Sequence, residues 1–261
     1  FPRHIATFRW PRWGNSLAVT PFQDDRLVLL RGTDPCQGRV AARVPVPLSS
    51  HPRSLRHAER VTPADLDGDG VDELLFASSI TNELFMLRHP GGEGPLRPEL
   101  IRKFPAGAPN QVAVTDLDGN GAPDLIVPYQ TKPFQIHILM NNGRASFVDA
   151  SPLSFPTTMG IRRVAAGEDR DGANYVLAVG YGAIALYRFP AHWDASAAVP
   201  MRSVPMARSE GCQILLLQDI DGDGWLDGIL GRGVGDRGAW IVYGPLWDHF
   251  DELATKRFIL D

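Results

Sequence analysis

Apolar and polar positions along this chain sort into short runs. LAVT from Leu17, LLFAS from Leu74, ELFML from Glu83, LIVPY from Leu125, QIHILM from Gln135, VLAVGY from Val176, AIALYRF from Ala183 and AWIVY from Ala239 are examples. Each is rich in β-branched or aromatic residues and is bounded by turn residues, which is the signature of short β-strands. Gly 26 and Pro 22 suit a chain of many turns and few long helices.

The runs recur in register. VTPADLDGDGVDELLFAS from Val61, VAVTDLDGNGAPDLIVPY from Val112 and ILLLQDIDGDGWLDGILG from Ile214 align on an Asp-x-Asp-x-Asp/Asn-Gly loop set between two strands. Their first aspartates are Asp65, Asp116 and Asp219, and the wider second gap calls for a degenerate copy midway. VAAGEDRDGANYVLAVGY from Val164 fills it, with Glu168 aligned to the first aspartate and Arg170, Gly172 and Val176 at further ligand positions. LAVTPFQDDRLVLLRG from Leu17 is a fifth copy without the acidic loop. Copies begin near 17, 61, 112, 164 and 214, each with about four strands, so the expected fold is all-β: a β-propeller of about five four-stranded blades in one domain over 1–261. The leading HIATFRW reads as an outer strand without a blade of its own, expected to close the ring on the last blade and hide open sheet edges.

Oxygen count argues that the loops hold metal. Calcium takes about six to eight oxygen ligands. The first loop offers Asp65, Asp67, Asp69, the carbonyl of Val71, and Glu73. The second offers Asp116, Asp118, Asn120, the carbonyl of Ala122, and Asp124; the third offers Asp219, Asp221, Asp223, the carbonyl of Trp225, and Asp227. Crowded carboxylates repel one another without a cation. An EF-hand is excluded, because its closing glutamate at position twelve is replaced by Phe76, Val127 or Leu230, and a strand follows the loop where a helix is required. Magnesium suits an all-protein cage poorly, since it keeps several waters. The expectation is about three Ca²⁺ ions, with the fourth copy blank.

Composition narrows the function. A formal net charge of −4 gives no basic footprint for nucleic acid. No apolar run is long enough for a membrane-spanning helix. The N-terminal FPRHIATFRWPRW lacks the layout of a signal peptide, as expected of a mature chain. Two cysteines, Cys36 and Cys212, offer neither a thiolate metal site nor a redox motif. In a five-membered ring they fall on neighbouring blades at one face, which leaves a disulfide and two free thiols both open.

The DxDGDGxxD loop between two strands, with the NNGRASF that follows a later strand of the second copy, resembles the FG-GAP/VCBS repeats of integrin-α-type β-propellers. The resemblance spans residues 17–261, with three of five loops matching in full. It implies calcium on the face opposite the usual ligand face and an extracellular or periplasmic location. It implies no single activity, since such propellers serve adhesion proteins, lectins and enzymes. Five copies fall short of the commonest seven-bladed form, so a piece of a larger ring stays open.

Ser16, Arg60, Gln111, Arg163 and Gln213 precede the expected first strands and would gather at the channel mouth. Such a polar, partly cationic ring suits an anionic or hydroxyl-rich ligand, and equally suits mere hydration. Trp10, Trp13, Trp193, Trp240 and Trp247 would make a sugar platform if exposed, and blade core if not. His51, Arg53, Arg56 and His57 form a basic loop. No zinc-protease or nucleophile-elbow motif occurs, and the GxGxxG at Gly233 precedes a strand where a dinucleotide site needs a helix. The expected function is a non-enzymatic scaffold or protein-binding module, or a subunit of a larger assembly. A carbohydrate-binding lectin and a carbohydrate-active lyase or hydrolase are the alternatives.

Overall fold

The computed structural model describes residues 2–11, 13–21, 26–32, 39–45, 58–79, 81–91, 95–105, 107, 109–150, 152–156, 160–205, 214–231 and 239–251. Among the described residues, twenty strands form five antiparallel sheets in chain order. The first is β1 (Pro2–Trp10), β2 (Gly14–Pro21), β3 (Arg26–Arg31) and β4 (Arg39–Pro45). The second is β5 (Ala58–Ala64), β6 (Glu73–Ser78), β7 (Glu83–Leu87) and β8 (Glu99–Lys103). The third holds β9 (Ala113–Thr115), β10 (Asp124–Pro128), β11 (Gln135–Asn141) and β12 (Phe147–Asp149), with β13 (Leu153–Ser154) also on β11. The fourth is β14 (Ile161–Glu168), β15 (Asn174–Gly180), β16 (Ala183–Phe189) and β17 (Met201–Pro205). The fifth is β18 (Ile214–Gln218), β19 (Asp227–Gly231) and β20 (Ala239–Val242), followed by one helical turn, α1 (Leu246–His249). These up-and-down sheets are the blades of an all-β, five-bladed propeller fold.

Two compact units divide the chain. The first comprises residues 1–112 and 143–147, and the second 113–142 and 148–261. In the first, β1 lies against β5, and the core between the two blades joins Phe8, Trp10, Ala18, Leu27, Leu29 and Val44 to Val61, Leu74, Phe76, Phe85 and Leu87.

In the second unit, β14 lies against both β9 and β18. Successive strand residues point to opposite faces, so β15 and β16 divide their side chains between two cores. Val176, Ala178, Ala185, Tyr187 and Phe189 pack with Ile126, Ile136 and Ile138 of blade three. Tyr175, Leu177, Val179, Ile184 and Leu186 pack with Leu215, Leu230, Val242 and Leu246 of blade five. Every residue of β15 is buried, which explains the near-continuous apolar run that marks it in the sequence.

The N-terminal strand corrects one expectation. Rather than joining the last blade, β1 pairs with β2 from Pro2↔Pro21 to Trp10↔Gly14. It sits against β5 as β14 sits against β18, so it is the first strand of the first blade. LAVT, expected to open that blade at 17, lies in its second strand. The cause is the alternation in β1: Phe8 and Trp10 share one face, are both buried, and touch edge to face at 5.0 Å. Two large aromatic rings on one face require a core partner, whereas the outer strand β8 is exposed at four of its five positions.

Candidate metal centre

Each acidic loop connects the first and second strands of its blade, after β5, β9 and β18. Three features repeat. The first aspartate accepts backbone N–H groups from both glycines: Asp65 from Gly68 and Gly70 (2.8 and 2.9 Å), Asp116 from Gly119 and Gly121 (2.8 and 2.7 Å), Asp219 from Gly222 and Gly224 (2.7 and 2.9 Å). The fifth residue accepts the N–H of the seventh: Asp69 from Val71 (2.8 Å), Asn120 from Ala122 (2.7 Å), Asp223 from Trp225 (2.8 Å). The ninth reaches back to the N–H of the second: Glu73 to Leu66 (2.9 Å), Asp124 to Leu117 (2.8 Å), Asp227 to Ile220 (2.7 Å). Gly119 and Gly121 turn the chain at φ of 73° and 85°, left-handed values that side chains resist, and this curls the loop around its first aspartate.

These bonds bring the first, third and ninth residues together. Asp65, Asp67 and Glu73 form one group, Asp116, Asp118 and Asp124 a second, and Asp219, Asp221 and Asp227 a third; within each, one carboxylate oxygen per residue lies within 4.8 Å of the others. Asp69 and Asp223 stay outside these groups. Val71, Ala122 and Trp225, expected to offer carbonyls, are held in the loop through their N–H groups.

The donor sets fit a hard divalent cation, being all oxygen and mostly anionic. In the first loop, Asp67 Oδ1 is buried with no hydrogen-bond partner, an orphan that a cation would satisfy. The closing acids are buried. Burial pushes Glu73 up to about 7, assisted by Asp67 and Asp69 and opposed by the Leu66 N–H and Arg88. It pushes Asp124 up to about 6, assisted by Asp118 and Asp116 and opposed by the Asn141 and Leu117 N–H groups. In the first loop Arg88 Nη1 already pairs with Asp67 at 3.1 Å and Glu73 at 3.4 Å, so that set is partly neutralised.

The blank fourth copy is placed differently from its sequence alignment. Glu168 ends β14 and pairs with Asn174. Asp169 and Asp171 take the first and third positions, and Asn174 takes the closing one. Asn174 follows Asp169 by five positions, against eight from Asp116 to Asp124. Arg170, Gly172 and Val176 are therefore not at ligand positions. The ungapped alignment hid the shortening, and allowing a gap inside EDRDGAN would have revealed it.

Arg60, Gln111 and Arg163 stand at or just before the first strands of their blades, with Gln111 and Arg163 buried. Ser16 does not join them. It lies in β2 beside the β1–β2 turn, at the opposite end of its blade, and its hydroxyl is directed at the Trp13 and Gly14 carbonyls. The reassignment of β1 is the reason. Trp10 and Trp193 are core residues, which removes them from any sugar platform. Gln213, Cys36, Cys212, the basic loop at 51–57 and the GxGxxG segment lie outside the described residues.

Residues 65–127 match the FG-GAP-like repeat family, spanning the first two acidic loops. No curated protein sequence matches the chain. Among solved structures, the Dos1 propeller aligns over 92% of this chain and 54% of its own, at 11% identity and a TM-score of 0.56. An Agrocybe aegerita lectin that recognises non-reducing terminal N-acetylglucosamine aligns over 92% and 62%, at 15% identity and 0.54. BBS1N, in complex with ARL6DN, aligns over 92% and 68%, at 15% and 0.54. The chain thus spans little more than half of the first two of these structures, and the likeness is one of fold. The chain has an FG-GAP-repeat-containing β-propeller fold.

Proposed function

We propose that this chain is a non-enzymatic, calcium-stabilised propeller that serves as a protein-binding or scaffold module in an extracellular or periplasmic assembly. One observation carries the calcium reading: the same three-carboxylate group recurs at the same place in three blades. Asp65, Asp67 and Glu73 would hold one ion, Asp116, Asp118 and Asp124 a second, and Asp219, Asp221 and Asp227 a third. A bound ion neutralises the carboxylates and ties the first strand of a blade to its second. The interaction role is supported by the fold shared with BBS1N, whose structure is of a complex with ARL6DN.

The test is thermal melting with excess calcium and with chelator, alongside native mass spectrometry. The expected result is three bound calcium ions and a Tm several degrees lower after chelation, since about 1 kcal/mol moves Tm by roughly 2–4 °C at this size. Identical melting curves would remove the calcium reading. The likeness to the Agrocybe aegerita lectin supports sugar binding as a second reading, and a glycan array with no hits would dismiss it.

A further inference from the structure

We infer that the metal-free loop of blade four couples the acidic loops of blades three and five, so that a cation in one favours a cation in the other. The inference rests on the calcium reading above. Its observations lie within the second compact unit.

Toward blade three, Asn174 Nδ2 donates to the carbonyl of Asp116 at 2.7 Å, and Thr115 Oγ1 donates to Asn174 Oδ1 at 2.6 Å. The residue that replaces the closing acid of blade four thus holds the first ligand residue of the neighbouring loop. The segment after β16 adds a second grip. Trp193 N donates to the Leu117 carbonyl at 3.2 Å, and the His192 ring fills the space beside Gly119 where a side-chain carbon would begin. Toward blade five, Asp169 Oδ1 accepts the N–H of Leu226 at 3.1 Å. Arg170 Nη1 donates to the Asp223 carbonyl at 2.9 Å, and its guanidinium lies 4.0 Å from the centre of the Trp225 ring.

Six residues therefore hold two loops at once. Asp169 and Asn174 are the ends of a stretch too short to flex independently, and both are buried. Its hydrogen bonds to the two loops are made to backbone groups, the atoms whose positions decide whether carboxylates converge. Ordering one loop fixes 169–174, and the other loop then orders at a smaller entropic cost. Arg170, Asp169 and Asn174 are positioning residues for metal sites to which they contribute no ligand.

The experiment is calorimetric calcium titration in a background where the first loop is silenced by Asp67→Asn. Silencing the loop of blade three with Asp118→Asn lowers calcium affinity in blade five by about fivefold or more, the usual lower range of site coupling. Asp221→Asn in blade five lowers affinity in blade three by the same factor, as linkage requires. Circular dichroism checks that each variant is folded. Arg170→Ala, an exposed change, shrinks the factor in both directions. Affinities independent of one another overturn the coupling and leave the calcium reading intact. A factor that Arg170→Ala does not alter overturns the route through blade four. A chain that binds no calcium overturns both.

Discussion

Glu73 and Asp124 are acids placed where burial opposes their charge. Both keep their protons above the ordinary carboxylate range, at about 7 and about 6. The folded, metal-free chain therefore binds protons more tightly than the unfolded chain. The resulting stabilisation is complete below about pH 4 and is lost as pH rises through the folded values. With chelator present, the Tm is expected to fall between about pH 5 and about pH 7.5; excess calcium is expected to remove or reverse that fall, because bound metal favours the charged form. Differential scanning fluorimetry over that range is the measurement, and a Tm that rises with pH under chelator would contradict it. Arg88 offsets part of the first loop's negative charge, since it already pairs with two of its acids.

At the scale of elements, the acidic loops differ in what surrounds them. Gly68 and Gly119 occupy equivalent positions with φ of 77° and 73°. A side chain on Gly68 meets nothing within 4 Å, whereas one on Gly119 collides with His192. Gly68→Ala should cost about 1–2 kcal/mol, the ordinary penalty of the left-handed conformation. Gly119→Ala should cost more and should also weaken calcium binding in blade three. Chemical denaturation of the two variants side by side measures the difference, and equal losses would refute it. The Asp-Gly spacing made the acidic loops legible in the sequence, because ligand count and turn geometry are local properties. The covering residues His192 and Trp193, and the adaptor formed by Asp169, Arg170 and Asn174, were not legible. They act on loops more than fifty residues away in the chain, or through a loop whose shortening broke the spacing. The first blade is hard to read for a related reason: the sequence between β1 and β2 carries no acidic signature, so the apolar LAVT aligns on its own.

At the scale of the whole molecule, charge is the property that three ions would change most. The chain carries a formal net charge of −4 and a sequence pI near 6.0. Three divalent ions outweigh that charge. Near pH 7.5 the chelated protein is expected to migrate toward the anode and the calcium-loaded protein toward the cathode. Native electrophoresis with and without calcium measures this, and equal mobility would count against three filled loops. The change of sign also bears on partners. A surface that turns from acidic to neutral or basic on loading meets an acidic partner without long-range repulsion.

The division of β15 and β16 between two cores constrains how this sequence can vary in length. Deleting one residue within β15 would hand Val176 and Ala178 to the blade-five side and Tyr175, Leu177 and Val179 to the blade-three side. Both cores would then receive side chains of the wrong volume at once. The loop beside it lost three residues relative to its neighbours without that consequence, since the strand register restarts at Asn174. Insertions and deletions should therefore collect between the first and second strands of a blade and be purged within the second. Drift in repeat length, on this account, follows the register of the cores and leaves their composition untouched.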